Sequence, residues 1–150
     1  NILTNHAVNN KKIIVLGGGE QKRPNLHVAD MCRSYELLVE RELNDINGEV
    51  FNVSYENKKI IELAEIVAKN VKSFFGYDNI EIEVKKETVD NRSYHVNSDK
   101  IKRVLDFSPK YNIDDAVISL CHAFKDGKLP NSLTDSKYSN VATLKKLNVE

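Results

Sequence analysis

The chain lacks a surplus of charge of either sign: its 150 residues carry 22 Lys+Arg against 22 Asp+Glu, a formal net charge of zero. That argues against a general nucleic-acid binder or a membrane-surface binder, because both draw affinity from excess positive charge. No apolar run approaches the length that crosses a bilayer, and Asn1 to Asn10 does not read as a secretory signal. The expected setting is therefore the cytoplasm. Cysteine is scarce: Cys32 and Cys121 are the two present. Both sit among apolar residues at helical spacing, so both are expected to be reduced core thiols rather than a disulfide. His6, His27, His95 and His122 form no metal-ligand spacing with either cysteine, which predicts no metal site. Internal repeats and low-complexity tracts are absent as well. Methionine occurs once, at Met31, and the sequence starts at Asn1. This combination leads us to expect a piece of a longer protein, of a length that suits one ordinary domain or half of a larger one.

What the chain does have is alternation of strand and helix patterns. Asn1 to Asn10 has apolar spacing suited to a short helix. Lys11 to Leu16 is a compact β-branched run and reads as a strand. Gly17-Gly18-Gly19 breaks it, and Arg23-Pro24 resets the backbone to an extended conformation. From Val28 the period is helical, with Val28, Met31, Cys32, Tyr35, Leu38 and Val39 on the face expected to point inward and Arg33, Glu36 and Glu40 outside. Glu49 to Val53 is expected to be a second strand, buried and parallel. Asn57 is placed to cap a helix from about Lys58 to Phe75, whose stripe is Ile60, Leu63, Ala64, Val67, Val71 and Phe74, with Gly76 as the stop. Ile80, Ile82 and Val84 alternate with charged residues, as in a half-exposed strand. A polar loop runs from Lys85 to Arg92, then a short helix from about Ser98 to Leu105. Asn112 and Asp115 suit a capping box for a last long helix, Ile113 to about Lys125. Residues 1–127 are expected to form the folded region and 128–150 a polar C-terminal tail. The class is α/β.

Two motifs suggest chemistry and fail, one on spacing and one on its place in the chain. A phosphate cradle needs G-x-G-x-x-G at a strand end with a helix directly after, so that free N–H groups and the helix dipole face the pyrophosphate. Here the third motif glycine would fall on Lys22, and no helix starts until about Val28. The glycines are expected to make a turn. Tyr55 and Lys59 have Tyr-x-x-x-Lys spacing, but they fall in a turn after a strand, where the pair would not share a helical face. Arg23 and Arg92 are more informative. Each stands between a strand and a helix, and a guanidinium fork pairs bidentately with phosphate oxygens. Taken alone, each reads first as a solvated or salt-bridged surface arginine, and spacing alone does not lift it above that.

The run IIVLGGGEQKRPNLHVADMCRSYELLVE resembles a segment of the extended short-chain dehydrogenase/reductases, the NAD(P)-dependent sugar-nucleotide epimerases and dehydratases. His27-Val28-Ala29-Asp30 is similar to their His-Val-x-Asp element. GEVFNV is similar to their last parallel Rossmann strand, and IIELAEIV to the helix after it. DNRSYHVNSDKIKRVLDFSPKYNIDDAV resembles their Asp-x-Arg-x-Tyr, Lys-Ile, Leu-x-Phe-x-Pro and terminal helix. Two departures stand out: Asp106 replaces the usual glycine of Leu-Gly-Phe, and Ser54-Tyr55 replaces a glycine after the strand.

The resemblance implies the C-terminal, substrate-binding part of a Rossmann-like fold. It implies a nucleotide sugar as ligand, with Arg23 and Arg92 as a two-sided clamp on its diphosphate or ribose. The backbone around Ile14 and Leu16 would line the base, and Gln21 would help position the sugar nucleotide. It also implies that NAD or NADP is bound by an N-terminal Rossmann half, which would be this region's partner, and that a homodimer forms. No cofactor-binding, metal or catalytic residue is assigned to this chain, and alone it is expected to be inactive. The alternative is a stand-alone, non-catalytic binding or assembly module that keeps this part of the fold.

Overall fold

The computed structural model describes residues 1–86 and 92–147. Most of the loop expected between Lys85 and Arg92, including Asp90 of the Asp-x-Arg-x-Tyr element, lies outside them. Helix α1 (Ile2–Asn10) leads into β1 (Lys12–Leu16) and a 3₁₀ turn over Gly17–Gly19. Strand β2 (Lys22–Asn25), α2 (Val28–Val39) and the short α3 (Leu43–Ile46) follow. Then come β3 (Glu56–Lys59), α4 (Ile60–Phe75), β4 (Glu81–Lys85), α5 (Asp99–Leu105), α6 (Ile113–Lys125) and α7 (Asn140–Lys146).

Two small sheets result. β1 and β4 pair in parallel, with Ile13 opposite Ile82 and Val15 opposite Val84. Lys12 holds the start of this pair, reaching Glu81 at 3.0 Å and Glu83 at 2.8 Å. β2 and β3 pair antiparallel. The main core lies between β1 and α1, α4 and α6, and is built from Ala7, Ile13, Val15, Ala64, Val67, Val71, Ile80, Val117 and Cys121. The apolar stripe of α4 packs as its period requires. A second cluster centres on Ile101, Leu105 and Phe107, with Leu37, Leu38, Ile46, Phe51 and Val53 against it.

Several local expectations hold. The Asn112 side chain accepts from the Asp115 N–H while Asp115 accepts from the Asn112 N–H, both at 2.9 Å, and this closes the capping box of α6. Asp106, at the family's glycine position, sits in the left-handed region at φ 55°, ψ 31° as the C-cap of α5. The region after Leu129 is not bare tail: Ser132 is buried and exchanges hydrogen bonds with Asn5, and α7 follows.

Other expectations are corrected. Residues 50–53 form no strand. Phe51 and Val53 turn onto the second cluster, but among the described residues no strand lies alongside to pair with them. Asn57 does not cap α4; it exchanges hydrogen bonds with the Val96 backbone at 2.9 and 3.0 Å. The N-cap is Lys59, whose N–H is taken by Glu62 at 2.7 Å. The expected inward face of α2 is largely outside: Val28 is 69% exposed, Met31 45%, Tyr35 63% and Val39 86%. Cys32 is exposed too, whereas Cys121 is buried in the core. The buried line of α2 is instead Asp30 and Ser34, with Leu37 and Leu38 at its end.

Candidate functional site

The inversion of α2 comes from Asp30. His27 caps the helix by accepting the Ala29 N–H on Nδ1 at 3.1 Å, and its ring packs on Tyr111 with centroids 5.0 Å apart. Asp30 stands in the first turn, where an anion suits the helix dipole. Its carboxylate is fully buried. It accepts the Lys110 N–H at 2.9 and 3.0 Å, the Tyr111 N–H at 2.9 Å and Arg33 Nη1 at 2.5 Å. Burial alone pushes this carboxyl up. The two backbone donors and Arg33 outweigh burial and hold it below the usual carboxylate range. The His-Val-x-Asp element therefore ties α2 to the chain entering α6, which fixes the frame around β2.

On that frame the two arginines meet. Arg23 lies on β2, held extended by Pro24. Its Nη1 donates to its own Lys22 carbonyl at 2.8 Å and to the carbonyl of Arg92. Its guanidinium lies over the Tyr94 ring, 5.1 Å from the centroid. The Lys22 N–H donates to Ser93 Oγ at 3.0 Å, and the Tyr94 N–H to the Lys22 carbonyl at 3.4 Å. Residues 92–94 thus run against β2, and Arg23 and Arg92, separated by 69 positions, occupy one corner of the molecule.

The same corner gathers cations that sequence reasoning missed. In the β2–β3 register Lys22 stands opposite Lys59 and Arg23 opposite Lys58. Like charges directly across a ladder repel. Lys59 is relieved by Glu20 at 2.7 Å, which also raises its pKa, and Lys58 lies 3.8 Å from Glu56. A facing pair of basic dipeptides, Lys22-Arg23 and Lys58-Lys59, was the available signal, but only the pairing register makes it readable.

Gln21 joins the end of β1 to this corner. Its Nε2 donates to the Leu16 carbonyl at 2.8 Å, and its backbone carbonyl accepts the Ile60 N–H at 3.1 Å. Among the described residues Gln21 Oε1 is buried without a hydrogen-bond partner, and Gln21 lines a cavity of about 210 Å³ with Gly17, Glu20 and Ser93. The structure therefore brings Leu16, Gln21, Arg23 and Arg92 into one neighbourhood. Ile14 lies further back on the exposed side of β1, next to Leu16 on the same face.

The glycines do not make a dinucleotide cradle. The element that follows Gly17–Gly19 in sequence is the strand β2, so the turn does not lead into a helix as the motif requires. Gly19 has φ +79°, and a Cβ there would lie 2.8 Å from Val15 Cγ1 and 2.9 Å from Ile61 Cβ. That glycine serves the packing of the turn onto α4. Tyr55 and Lys59 likewise share no helix: Tyr55 precedes β3 and Lys59 ends it. Among the described residues no helix is long and apolar enough to cross a membrane.

A family model described as GDP-mannose 4,6 dehydratase matches residues 1–120. The chain is 27% identical over 128 residues to a dTDP-glucose 4,6-dehydratase of Streptomyces niveus, covering 85% of this chain and 36% of that protein. Its fold is similar to that of the NAD-complexed dTDP-glucose 4,6-dehydratase of Bacillus anthracis, with a TM-score of 0.66 and 22% identity over 89% of this chain and 41% of that one. It is similar as well to the UDP-glucose 4-epimerase of Thermotoga maritima, with a TM-score of 0.67 and 23% identity, covering 85% of this chain and 39% of the other. The chain thus spans well under half the length of these relatives. With a family model matching residues 1–120, the chain belongs to the GDP-mannose 4,6-dehydratase family of NAD-dependent sugar-nucleotide dehydratases and epimerases.

Proposed function

We propose that this chain is the nucleotide-sugar-binding portion of a cytoplasmic, NAD(P)-dependent sugar-nucleotide epimerase or 4,6-dehydratase. Residues 1–127 carry the binding surface and 128–150 form its C-terminal tail. The observation that carries this reading is that Arg23 and the backbone of Arg92 meet on a lysine-flanked corner of a protein whose net charge is zero. The Arg23 guanidinium beside Lys22 and residue Arg92 supplies the positive charge that a diphosphate neutralises. The leftover acceptor of Gln21 suits a sugar or ribose hydroxyl, and the exposed apolar side of Ile14 and Leu16 suits the flat face of a base. NAD or NADP is held by the N-terminal part of the full-length enzyme. That part also supplies the acid–base residues, so this chain alone does not turn over substrate.

The test is titration of the chain with UDP and dTDP by calorimetry, repeated for R23A and R92A. Loss of one charge-assisted contact, about 1.5–3 kcal/mol, weakens binding roughly ten- to a hundredfold. Arg23 also holds the Arg92 carbonyl, so R23A disturbs geometry as well as charge. R92A keeps that carbonyl and removes the Arg92 side-chain charge. Equal affinity in the wild type and R92A would remove the clamp.

A further inference from the structure

The turn that leaves α3 carries an asparagine followed by a glycine, Asn47-Gly48, and both residues are exposed. The amide carbon of an asparagine side chain lies within reach of the next residue's backbone nitrogen, because a five-membered ring closes between them. Glycine in the second place removes the Cβ that crowds this closure and leaves the backbone free to turn. The sequence offers the same reaction, with a small second residue, at Asn97-Ser98 and Asn131-Ser132.

The fold tells the three apart. The Asn97 amide is tied at both ends: Nδ2 donates to Asp99 Oδ2 at 2.7 Å, and Oδ1 accepts the Asp99 N–H at 2.8 Å. Asn131 is set at φ 54°, its carbonyl accepts the Thr134 and Asp135 N–H groups, and the following Ser132 is buried against Asn5. At Asn47 nothing comparable holds the reacting atoms. Among the described residues neither the Asn47 side chain nor the Gly48 N–H has a hydrogen-bond partner. A Cβ at Gly48 would meet nothing within 4 Å, so the space beside it is open. The restraint that remains is the single turn of α3, with the Asn47 N–H on the Leu43 carbonyl at 2.8 Å and the Glu49 N–H on the Ile46 carbonyl at 3.0 Å. A helix of four residues has almost no propagation behind its nucleus, and it opens at low cost.

We propose that Asn47 is a site of spontaneous covalent modification, at which Asn47-Gly48 passes through a succinimide to aspartate and isoaspartate. The Gly48 backbone nitrogen gives its proton to solvent and bonds to Asn47 Cγ. The side-chain nitrogen takes up a proton and leaves as ammonia. Water then opens the ring. Breaking the bond from nitrogen to Cγ leaves aspartate in the original chain. Breaking the bond from nitrogen to the Asn47 backbone carbonyl carbon leaves isoaspartate, with the main chain routed through Cβ. Nothing is oxidised or reduced, and water is the one co-reactant. The place gives the change a consequence. Ile46 before the turn and Phe51 after it both pack on Ile101, Leu105 and Phe107. Glu49 pairs with Lys100, whose ammonium lies over the Phe51 ring, 5.1 Å from its centroid. Isoaspartate lengthens the main chain by one methylene between these anchors and so loosens the second cluster, whereas aspartate adds charge alone.

The experiment ages the folded chain in warm, mildly alkaline buffer and follows each asparagine by peptide mass spectrometry. Isoaspartate is counted by methyl transfer from S-adenosylmethionine with an isoaspartyl carboxyl methyltransferase as the probe. Isolated peptides spanning Asn47, Asn97 and Asn131 give the unprotected rates. Asn47 in the folded chain should lose its amide within about tenfold of its peptide's rate, while Asn97 and Asn131 should be slowed by more than that against theirs, because their reaction waits on local opening. Asn47→Gln keeps an amide beside Gly48 but needs a six-membered ring. It should remove methyl acceptance and leave the urea midpoint of the fresh chain unchanged. The isoaspartyl fraction should unfold at a lower urea midpoint than Asn47→Asp, which carries the charge without the methylene. An intact Asn47 in the folded chain after its peptide has reacted overturns the proposal, and so does methyl acceptance that survives Asn47→Gln. An isoaspartyl fraction with the midpoint of Asn47→Asp refutes the loosening of the second cluster.

Discussion

Removing the Asp30 carboxylate is the sharpest test of how the frame is held. In Asp30→Ala the Lys110 and Tyr111 N–H groups lose their acceptor and Arg33 loses its anion. Each orphaned donor costs about 1–3 kcal/mol, and deleting one partner of an ion pair with a buried carboxylate costs up to about 3–5 kcal/mol, less here because Arg33 is part-exposed. These overlap, because they concern one carboxylate, so the expected loss is about 4 kcal/mol at pH 7. For a chain of this length that lowers Tm by roughly 10 °C. Asp30→Asn keeps the shape and one acceptor oxygen, and should cost about 2 kcal/mol. Arg33→Ala should cost less than Asp30→Ala, because Arg33 is part-exposed and the backbone donors keep their acceptor.

The pH dependence has a definite sign. The folded carboxyl is held below its unfolded value. Its contribution is therefore fully present above the unfolded pKa of about 3.9, and is lost as pH falls through the folded value. The gap in urea midpoint between the wild type and Asp30→Asn should be widest near neutral pH and close below about pH 4. Urea unfolding followed by circular dichroism at pH 7, 5 and 3.5 measures it. A gap at pH 7 below about 0.5 kcal/mol, the range of ordinary surface substitutions, would refute the assignment of Asp30 as the tie between α2 and α6. A gap that grows on acidification would refute it too.

Other expectations follow from local geometry. Gly19→Ala must place a Cβ against Val15 and Ile61 and also adopt positive φ, whereas Gly18→Ala, at φ +70° with nothing within 4 Å, meets only the backbone strain. Chemical denaturation should show losses of about 3 kcal/mol and about 1 kcal/mol respectively, and equal losses would remove the packing role of Gly19. Asp106→Gly puts the residue type suited to the left-handed region at the C-cap of α5. It should raise stability by about 0.5–1 kcal/mol, read as a higher urea midpoint, and a lower midpoint would mean the Asp106 side chain makes a contribution not seen in its contacts. In the folded free chain Cys32 should react promptly with a maleimide. Cys121, whose thiol burial pushes up to about 11, should react only on unfolding. Mass spectrometry of the singly labelled peptide distinguishes the two.

Much of the fold was legible where local rules and the final environment agree. The apolar stripe of α4, the capping box of Asn112 and Asp115, and the β-branched run of β1 are each fixed by neighbours within a few positions. The candidate site was legible only in part. Arg23 and Arg92 stood out as residues suited to phosphate, but nothing within either segment shows that the Arg92 carbonyl accepts from Arg23, or that Ser93 and Tyr94 dock on Lys22. The basic corner of Lys22, Lys58 and Lys59 exists only through the β2–β3 register.

By itself, then, the sequence determined the α/β class, the main helices and the turn made by Gly17–Gly19, because periodicity, capping and backbone sterics act over a few residues. The tertiary structure alone decided which side of α2 is buried. Periodicity put Met31 and Tyr35 inside. A carboxylate that collects two backbone N–H groups from a distant part of the chain, together with Arg33 of its own helix, put Asp30 inside instead. The same folding left Val50–Val53 with a strand's alternation and, among the described residues, no strand beside it. Pattern reports what a segment can pair with, and only the assembled chain shows whether the partner is there.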